Sequence, residues 1–386
     1  MVDKLWNKKY VCLVFVNTLS GFSFYMIMSL LTSYLTEIGN TVSVAGLVVG
    51  LFSITSLAVR PFTGYISDNY NKKFLLILGM AVTGVSVAGY VSTGALGGLI
   101  LIRVVHGTAF ALVSTGIVSL ASEYIPASRF NQGIGYLGLG QIISSAIGPG
   151  LGVAIMNRLD IRYSFFVAAA FAFAGVLLLA LFKYKPDIRK KEFGLKLEDV
   201  ICVKALNHTC IGGIYSFSNG IISSFIVLFA LTKGIRDVSI YFTVCAVFLF
   251  LARPVTGRLV DRVPIKYIVY PGLLLSVVSM VILANADSMY LIILSAVLRS
   301  LAQGAVQPVL QAECIRRAGT GKSGVATSTY YLGGDIGQGI GPIVGGVLAG
   351  SLGYPSVFYA CAVLFVAGVF LFYAGTRQKN LRPGRM

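Results

Sequence analysis

Twelve long stretches almost without charge constrain this chain more than any other feature. They run over approximately 11–36, 43–66, 74–94, 96–121, 133–156, 164–183, 206–231, 238–260, 267–286, 289–312, 324–350 and 355–375. A helix needs about 20 residues to cross a hydrocarbon layer about 30 Å thick, and each stretch is long enough. No water reaches the backbone N–H and C=O groups in that layer, so each stretch must satisfy them internally as a helix. The pattern predicts an all-α integral membrane protein with twelve transmembrane helices. Composition agrees: 12% of the 386 residues are charged, against roughly 25% in a soluble domain.

The formal net charge of +17 would suggest nucleic acid in a soluble protein. Here the basic residues read as a topology signal instead. With the N-terminus inside, 25 of them fall in cytoplasmic segments and only Arg158, Arg162, Lys233 and Arg236 fall outside. Cytoplasmic loops carry such an excess, so the spacing predicts a multi-pass protein of the inner cell membrane with both termini cytoplasmic. Anionic lipid adds to the attraction, and nucleic acid is not needed. The stretch 11–35 is too long for a signal-peptide core and has no small-residue cleavage site, so it is expected to remain as the first span. The six cysteines are scattered, without CxxC or metal-ligand spacing. They read as small apolar fillers, and no metal or cofactor is expected.

One long polar connection, 184–205, divides the spans six and six. It predicts an N-terminal bundle over 1–183 and a C-terminal bundle over 206–386. Within the connection, the weakly amphipathic run Leu195–Leu206 is expected to lie along the membrane surface as a helix.

The two halves repeat one another. Arg60-Pro61-Phe62-Thr63-Gly64 with Asp68 recurs, 193 residues later, as Arg253-Pro254-Val255-Thr256-Gly257 with Asp261. Gly140, Gly148-Pro149 and Gly152 recur at the same offset as Gly333, Gly341-Pro342 and Gly345. Arg103 and Gly107 recur as Arg299 and Gly304 with one residue inserted between them. The halves are therefore expected to be two pseudo-symmetric six-helix bundles in parallel repeat.

On these residues the sequence resembles the major facilitator superfamily over nearly its whole length. The family's loop motif, roughly G-x-x-x-D-R-x-G-R-K, appears as Gly64 to Lys73, with Asn69 and Asn71 in place of the usual Arg and Gly. The second copy, Gly257 to Lys266, keeps Asp261-Arg262. Arg103-Val104-Val105-His106-Gly107 resembles the R-x-x-Q-G pattern of the fourth span, with His106 in the Gln position. Gly140, Gly148-Pro149 and Gly152 resemble the fifth-span antiporter motif. The resemblance implies a secondary transporter and an exporter exchanging substrate for protons. It also implies that Arg103 positions or relays the proton. The first span lacks the acid that some drug exporters of the family carry there.

Several residues could carry the mechanism. Gly64, Asp68, Glu123 and Arg129 in the first half, and Gly257, Asp261 and Glu313 with Arg316 in the second, fall near the cytoplasmic ends of spans and are expected to form gates. A carboxylate there can cap a helix N-terminus and pair with basic side chains. Gly148-Pro149 and Gly341-Pro342 are expected to act as hinges, since Pro removes a backbone hydrogen bond and Gly permits close helix approach. Arg103, His106, Arg299 and Asp335 lie well inside spans. Ionisable groups at that depth are costly and line interior cavities, so these four are the proton-coupling candidates, with Asp335 first as the only carboxylate at depth. Asn17, Phe24, Tyr136, Gln141, Tyr215, Asn219, Gln303, Gln307 and Tyr331 are expected to line a substrate cavity for a small amphiphilic organic solute.

The expected function is proton-coupled export of that solute by alternating access, with the protein a monomer. The alternative is an organic-anion importer or exchanger with Arg103 and Arg299 as ligands; a non-transporting membrane receptor ranks below both. The sequence offers no Ser/His/Asp set, metal cluster or carboxylate pair for an enzyme. Gly321-Lys322-Ser323 ends like a phosphate-binding loop, but Arg316 occupies the position of the required first Gly.

Overall fold

The computed structural model describes residues 4–40, 42–185, 196–235 and 238–380. In chain order the helices are α1 (Lys8–Glu37), α2 (Val42–Asn69), α3 (Lys72–Gly89), α4 (Leu96–Ser122), α5 (Phe130–Leu137), α6 (Leu139–Arg158) and α7 (Ile161–Leu181). They continue as α8 (Leu197–Val200), α9 (Leu206–Thr232), α10 (Ser239–Val260), α11 (Lys266–Ala284), α12 (Met289–Ala318), α13 (Ser323–Leu352) and α14 (Tyr354–Asn380). Among the described residues there is no strand.

Local chemistry sets several starts. Asn7 Oδ1 accepts the N–H of Tyr10 at 2.9 Å to open α1, Asn71 Oδ1 accepts that of Phe74 at 3.1 Å to open α3, and Asp160 Oδ1 accepts that of Arg162 at 2.7 Å to open α7. The fifth span is built from α5 and α6 with the break at Gly138, whereas Pro149 lies inside a continuous α6.

Eleven helical segments are long and apolar enough to cross a membrane, among the described residues. The remaining one, α13, has 30 residues, about 45 Å of helix. It falls short on apolarity because Gly, Ser, Thr and Tyr, with Asp335 and Gln338, interrupt its aliphatic residues. The expected linker helix over Leu195–Leu206 is not continuous: α8 is a single turn, followed by a 3-10 turn at Val203–Ala205. The Cys202 N–H goes to Thr329 Oγ1 at 2.9 Å instead of to a helical carbonyl. Residues 186–195 of the connection lie outside the described residues.

The chain forms two compact units. The first comprises Met1–Ile201 and Gly319–Ser328, and the second Cys202–Ala318 and Thr329–Met386. In the first, α2 packs on α4, α3 on α4 and α7, and α1 on α6 and α7. In the second, α10 packs on α12, α11 on α12 and α14, and α9 on α14. The four pairings of the second unit match four of the five in the first, displaced by one repeat. The fifth, α1 on α6, and its counterpart, α9 on α13, are made by the periodic glycines. A Cβ at Gly148 would lie 3.1 Å from Tyr25 Cβ on α1, and one at Gly341 would lie 2.5 Å from the Phe217 carbonyl on α9. The glycines thus let two backbones approach within a distance that any side chain would hold open.

Candidate functional site

The C-terminal end of α2 belongs to the first unit and carries a polar cluster. Asp68 Oδ1 accepts the N–H of Gly324 at 2.7 Å, and its Oδ2 accepts that of Val325 at 2.9 Å. Both N–H groups lie in the first turn of α13, where no intrahelical partner exists and the helix dipole favours an anion. Gly64 makes this possible. A Cβ there would lie 2.8 Å from the Gly324 carbonyl and 2.8 Å from Val325 Cα. Lys72 Nζ is 4.0 Å from Asp68 and 2.6 Å from Glu123 Oε1, and Ser323 Oγ meets Ser119 Oγ at 2.9 Å. The structure therefore brings Gly64, Asp68 and Glu123 into one cluster. Arg129 is the residue before α5 and has no ion pair among the described residues.

Two residues of this cluster depart from the family pattern, and each has a local use. Asn71 caps α3, and Asn69 Nδ2 donates to the Tyr65 carbonyl at 2.9 Å. In the second unit, Arg316 lies 3.7 Å from Asp261, and Arg317 Nε donates to Glu313 Oε1 at 3.0 Å. Gly257 is buried nearby in α10.

Arg103 on α4 is completely buried. Its Nε donates to the Val48 carbonyl at 3.2 Å, Nη2 to the Val49 carbonyl at 3.1 Å, and Nη1 to Tyr90 Oη at 3.3 Å. The guanidinium also stands 4.6 Å from the centre of the Phe52 ring. Carbonyl dipoles and an aromatic face thus hold a cation that has no carboxylate partner among the described residues. His106, one turn along the helix, shares Tyr90: its Nδ1 is 3.1 Å from Tyr90 Oη, and its buried Nε2 finds no hydrogen-bond partner among the described residues. Phe24 stacks on Phe110 at 4.7 Å and packs against Phe52 at 5.3 Å, extending one aromatic wall from the arginine.

Asn17 and Gln141 form a clamp between α1 and α6. Asn17 Nδ2 donates to the Leu137 carbonyl at 2.7 Å, and Gln141 Nε2 donates to Asn17 Oδ1 at 3.0 Å. Tyr136 is buried beneath Trp6, ring centres 5.0 Å apart, and receives Gln132 Nε2 at 3.3 Å.

In the second unit, Arg299 on α12 is 4% exposed and donates through Nη2 to Asn219 Oδ1 on α9. Its Nε has no hydrogen-bond partner among the described residues. One and two turns further along α12, Gln303 Nε2 donates to Gln307 Oε1 at 2.9 Å, leaving Gln303 Oε1 buried and unpartnered. Tyr215 is placed differently from expectation. It is fully buried, with Oη 3.0 Å from Ser276 Oγ and its ring against Phe365 at 4.9 Å. This satisfied hydroxyl belongs to the packing of α9 on α11 and α14.

Asp335 lies twelve residues into α13 and is half-buried. At 100° per residue, the exposed Ile336, Ile340, Ile343 and Val347 define one apolar face of this helix, and Gly333, Gly337 and Gly341 line another against α9. Asp335 falls on neither; it shares the third face with Tyr331 and Gln338.

Sequence reasoning missed Tyr90, which supports both Arg103 and His106 from the 3-10 turn after α3. Arg60 is one of the 25 basic residues counted as cytoplasmic. Arg60 is buried inside α2, donating to Ser56 and Ser114 Oγ at 3.1 Å each. The Arg60/Arg253 repeat was the available signal.

Two repeated bundles of membrane-length helices, with buried cations and a half-buried carboxylate in their interiors, define a multi-pass membrane transporter. Comparison with known proteins gives the family. The family model described as Major Facilitator Superfamily matches residues 13–341 and 209–385, and the chain belongs to that family. It is accordingly a transporter and not an enzyme. It is 24% identical over 386 residues to the multi-drug resistance efflux pump PmrA of Streptococcus pneumoniae, covering 94% of each chain. It is 25% identical over 391 residues to the multidrug resistance protein MdtG of Citrobacter koseri, covering 95% of this chain and 93% of that one. Among solved structures it is similar in fold to the transporter FucP (TM-score 0.81, 15% identity, 96% and 98% coverage). It is similar also to the human organic anion transporter MFSD10 (TM-score 0.79, 17% identity, 94% and 98% coverage).

Proposed function

We propose that this transporter exports a small amphiphilic organic solute in exchange for protons, from a cell membrane in which both termini are cytoplasmic. The observation that carries the reading is the position of Asp335: among the described residues the only acidic side chain deep within a span, on a helix face that is neither the exposed apolar one nor the glycine-packed one. A carboxylate there can take a proton from one side and release it to the other as the site alternates in access. The names of the relatives, both drug-resistance pumps, support export of organic compounds.

Arg103, held together with His106 on Tyr90, is the buried cation of the first unit, and Arg299 is that of the second. Phe24, with the aromatic wall around it, offers amphiphilic lining in the first unit, and Asn219, Gln303, Gln307 and Tyr331 offer it in the second. Asp68 on the start of α13 acts as the inner latch, with Glu123 holding Lys72; Asp261 and Glu313 are its counterparts. Gly148-Pro149 and Gly341-Pro342 serve as hinges through close approach to α1 and α9. The protein works as a monomer.

The organic-anion alternative requires arginines free to bind a carboxylate. Three donors of Arg103 are already taken by Val48, Val49 and Tyr90, which favours the proton-exchange reading. Proteoliposomes loaded with a lipophilic cationic dye test it. An imposed pH gradient should drive dye movement against its own gradient, and movement that follows only the dye gradient would reject proton exchange.

A further inference from the structure

A cavity of about 620 Å³ opens in the first unit where the start of α1, the start of α3 and the end of α7 converge. Its walls include Lys9, Lys73, Lys183 and Lys185, together with Tyr124 and Leu181. Among the described residues, no carboxylate lines it. The four lysines also have no ion pair elsewhere among the described residues. Four other cations at helix ends are paired: Lys72 with Glu123, Arg316 with Asp261, Arg317 with Glu313 and Lys322 with Asp199. Two of the four have local contacts that leave their charge uncompensated. Lys73 Nζ donates to the Ala180 carbonyl at 3.0 Å, using one of its three donors, and Lys9 Nζ stands 4.8 Å from the centre of the Tyr124 ring.

An apolar surface begins at the edge of this basic cavity. Leu181 both lines it and is 73% exposed, and Leu177 and Phe173 continue the exposed face of α7 at four-residue steps. On α3, which packs against α7, Phe74 and Leu78 are exposed directly after Lys73. A ligand matched to both surfaces carries a negatively charged head and long acyl chains.

We propose that this cavity is a binding site for the phosphate headgroup of an anionic phospholipid, whose chains lie along α3 and α7. The lysine ammonium groups take the phosphate oxygens, and the bound anion relieves repulsion among four like charges. An acyl stripe next to the site favours a lipid over free phosphate, although the headgroup chemistry is shared.

Native mass spectrometry of the full-length protein in detergent tests this without any transport assay. Phosphatidylglycerol and phosphatidylcholine are offered together, with and without excess inorganic phosphate. The wild type should retain phosphatidylglycerol preferentially, and phosphate should not displace it. The variant Lys9→Gln/Lys73→Gln/Lys183→Gln/Lys185→Gln should lose that preference, with about fivefold weaker retention for each lysine removed. The pairs Lys9→Gln/Lys73→Gln and Lys183→Gln/Lys185→Gln each weaken it if the fourfold variant does not fold. Arg258→Gln/Lys266→Gln, in the second unit, should retain lipid as the wild type does. Equal retention of the two lipids, unchanged retention in the lysine variants, or displacement by inorganic phosphate would each overturn the proposal.

Discussion

The carboxylate of Asp68 accepts the backbone N–H of Gly324 at 2.7 Å, 256 residues away in the chain. With Val325 as its second donor, one side chain satisfies two of the orphan N–H groups that open α13. Asp68→Asn keeps one carbonyl oxygen for the pair but removes the negative charge from the helix N-terminus. Expression should remain near normal and the melting midpoint should fall by the equivalent of about 1 kcal/mol. Most transport should be lost. Vesicle transport and thermal unfolding of the purified variant check the two parts, and full activity would remove Asp68 from the gate.

Gly341 and Gly339 provide a matched pair on α13. A Cβ at Gly341 meets the Phe217 carbonyl at 2.5 Å, whereas nothing lies within 4 Å of one at Gly339. Gly341→Ala must push α9 away and should lower the melting midpoint, with reduced transport. Gly339→Ala should be neutral or stabilising by about 0.5–1 kcal/mol, since Ala restricts the unfolded chain more than Gly does. Equal melting midpoints for the two variants would contradict the close backbone packing.

Tyr215→Phe separates packing from solute binding. The substitution removes the contact with Ser276 while leaving the ring against Phe365. A loss of about 1 kcal/mol in stability with an unchanged KM for solute is expected. A raised KM at unchanged stability would return Tyr215 to the cavity.

His106→Gln restores the residue that the family pattern carries at this position. Glutamine can still accept from Tyr90, so Arg103 should keep its support and transport should keep its pH profile. A flattened profile would transfer proton carriage from Asp335 to His106.

Much of this was legible in the sequence because lipid imposes a simple rule on each span. Charge-poor length gave the helices, and the 193-residue offset gave the two sets of matching helix pairs. Residue partners were harder to read, because a polar side chain in a span can face a cavity, a neighbouring helix or a backbone carbonyl. Asn17 and Gln141 meet one another, and Tyr215 turns to Ser276, although all three fit a cavity stripe by periodicity. Arg60 and Lys72 show the same limit from the other side. A basic residue near a span end looks like loop, yet Arg60 is enclosed by Ser56 and Ser114, and Lys72 is buried against Glu123. The fifth span breaks at Gly138 and not at its proline, since α6 accommodates Pro149 within its ladder.

The central claim is that Asp335 carries the exchanged proton. In proteoliposomes, Asp335→Asn should still exchange labelled for unlabelled solute at equal pH, because the lining and the latch are intact. It should show no solute accumulation when a pH gradient is imposed. Accumulation driven by the gradient as strongly as in the wild type would contradict the claim.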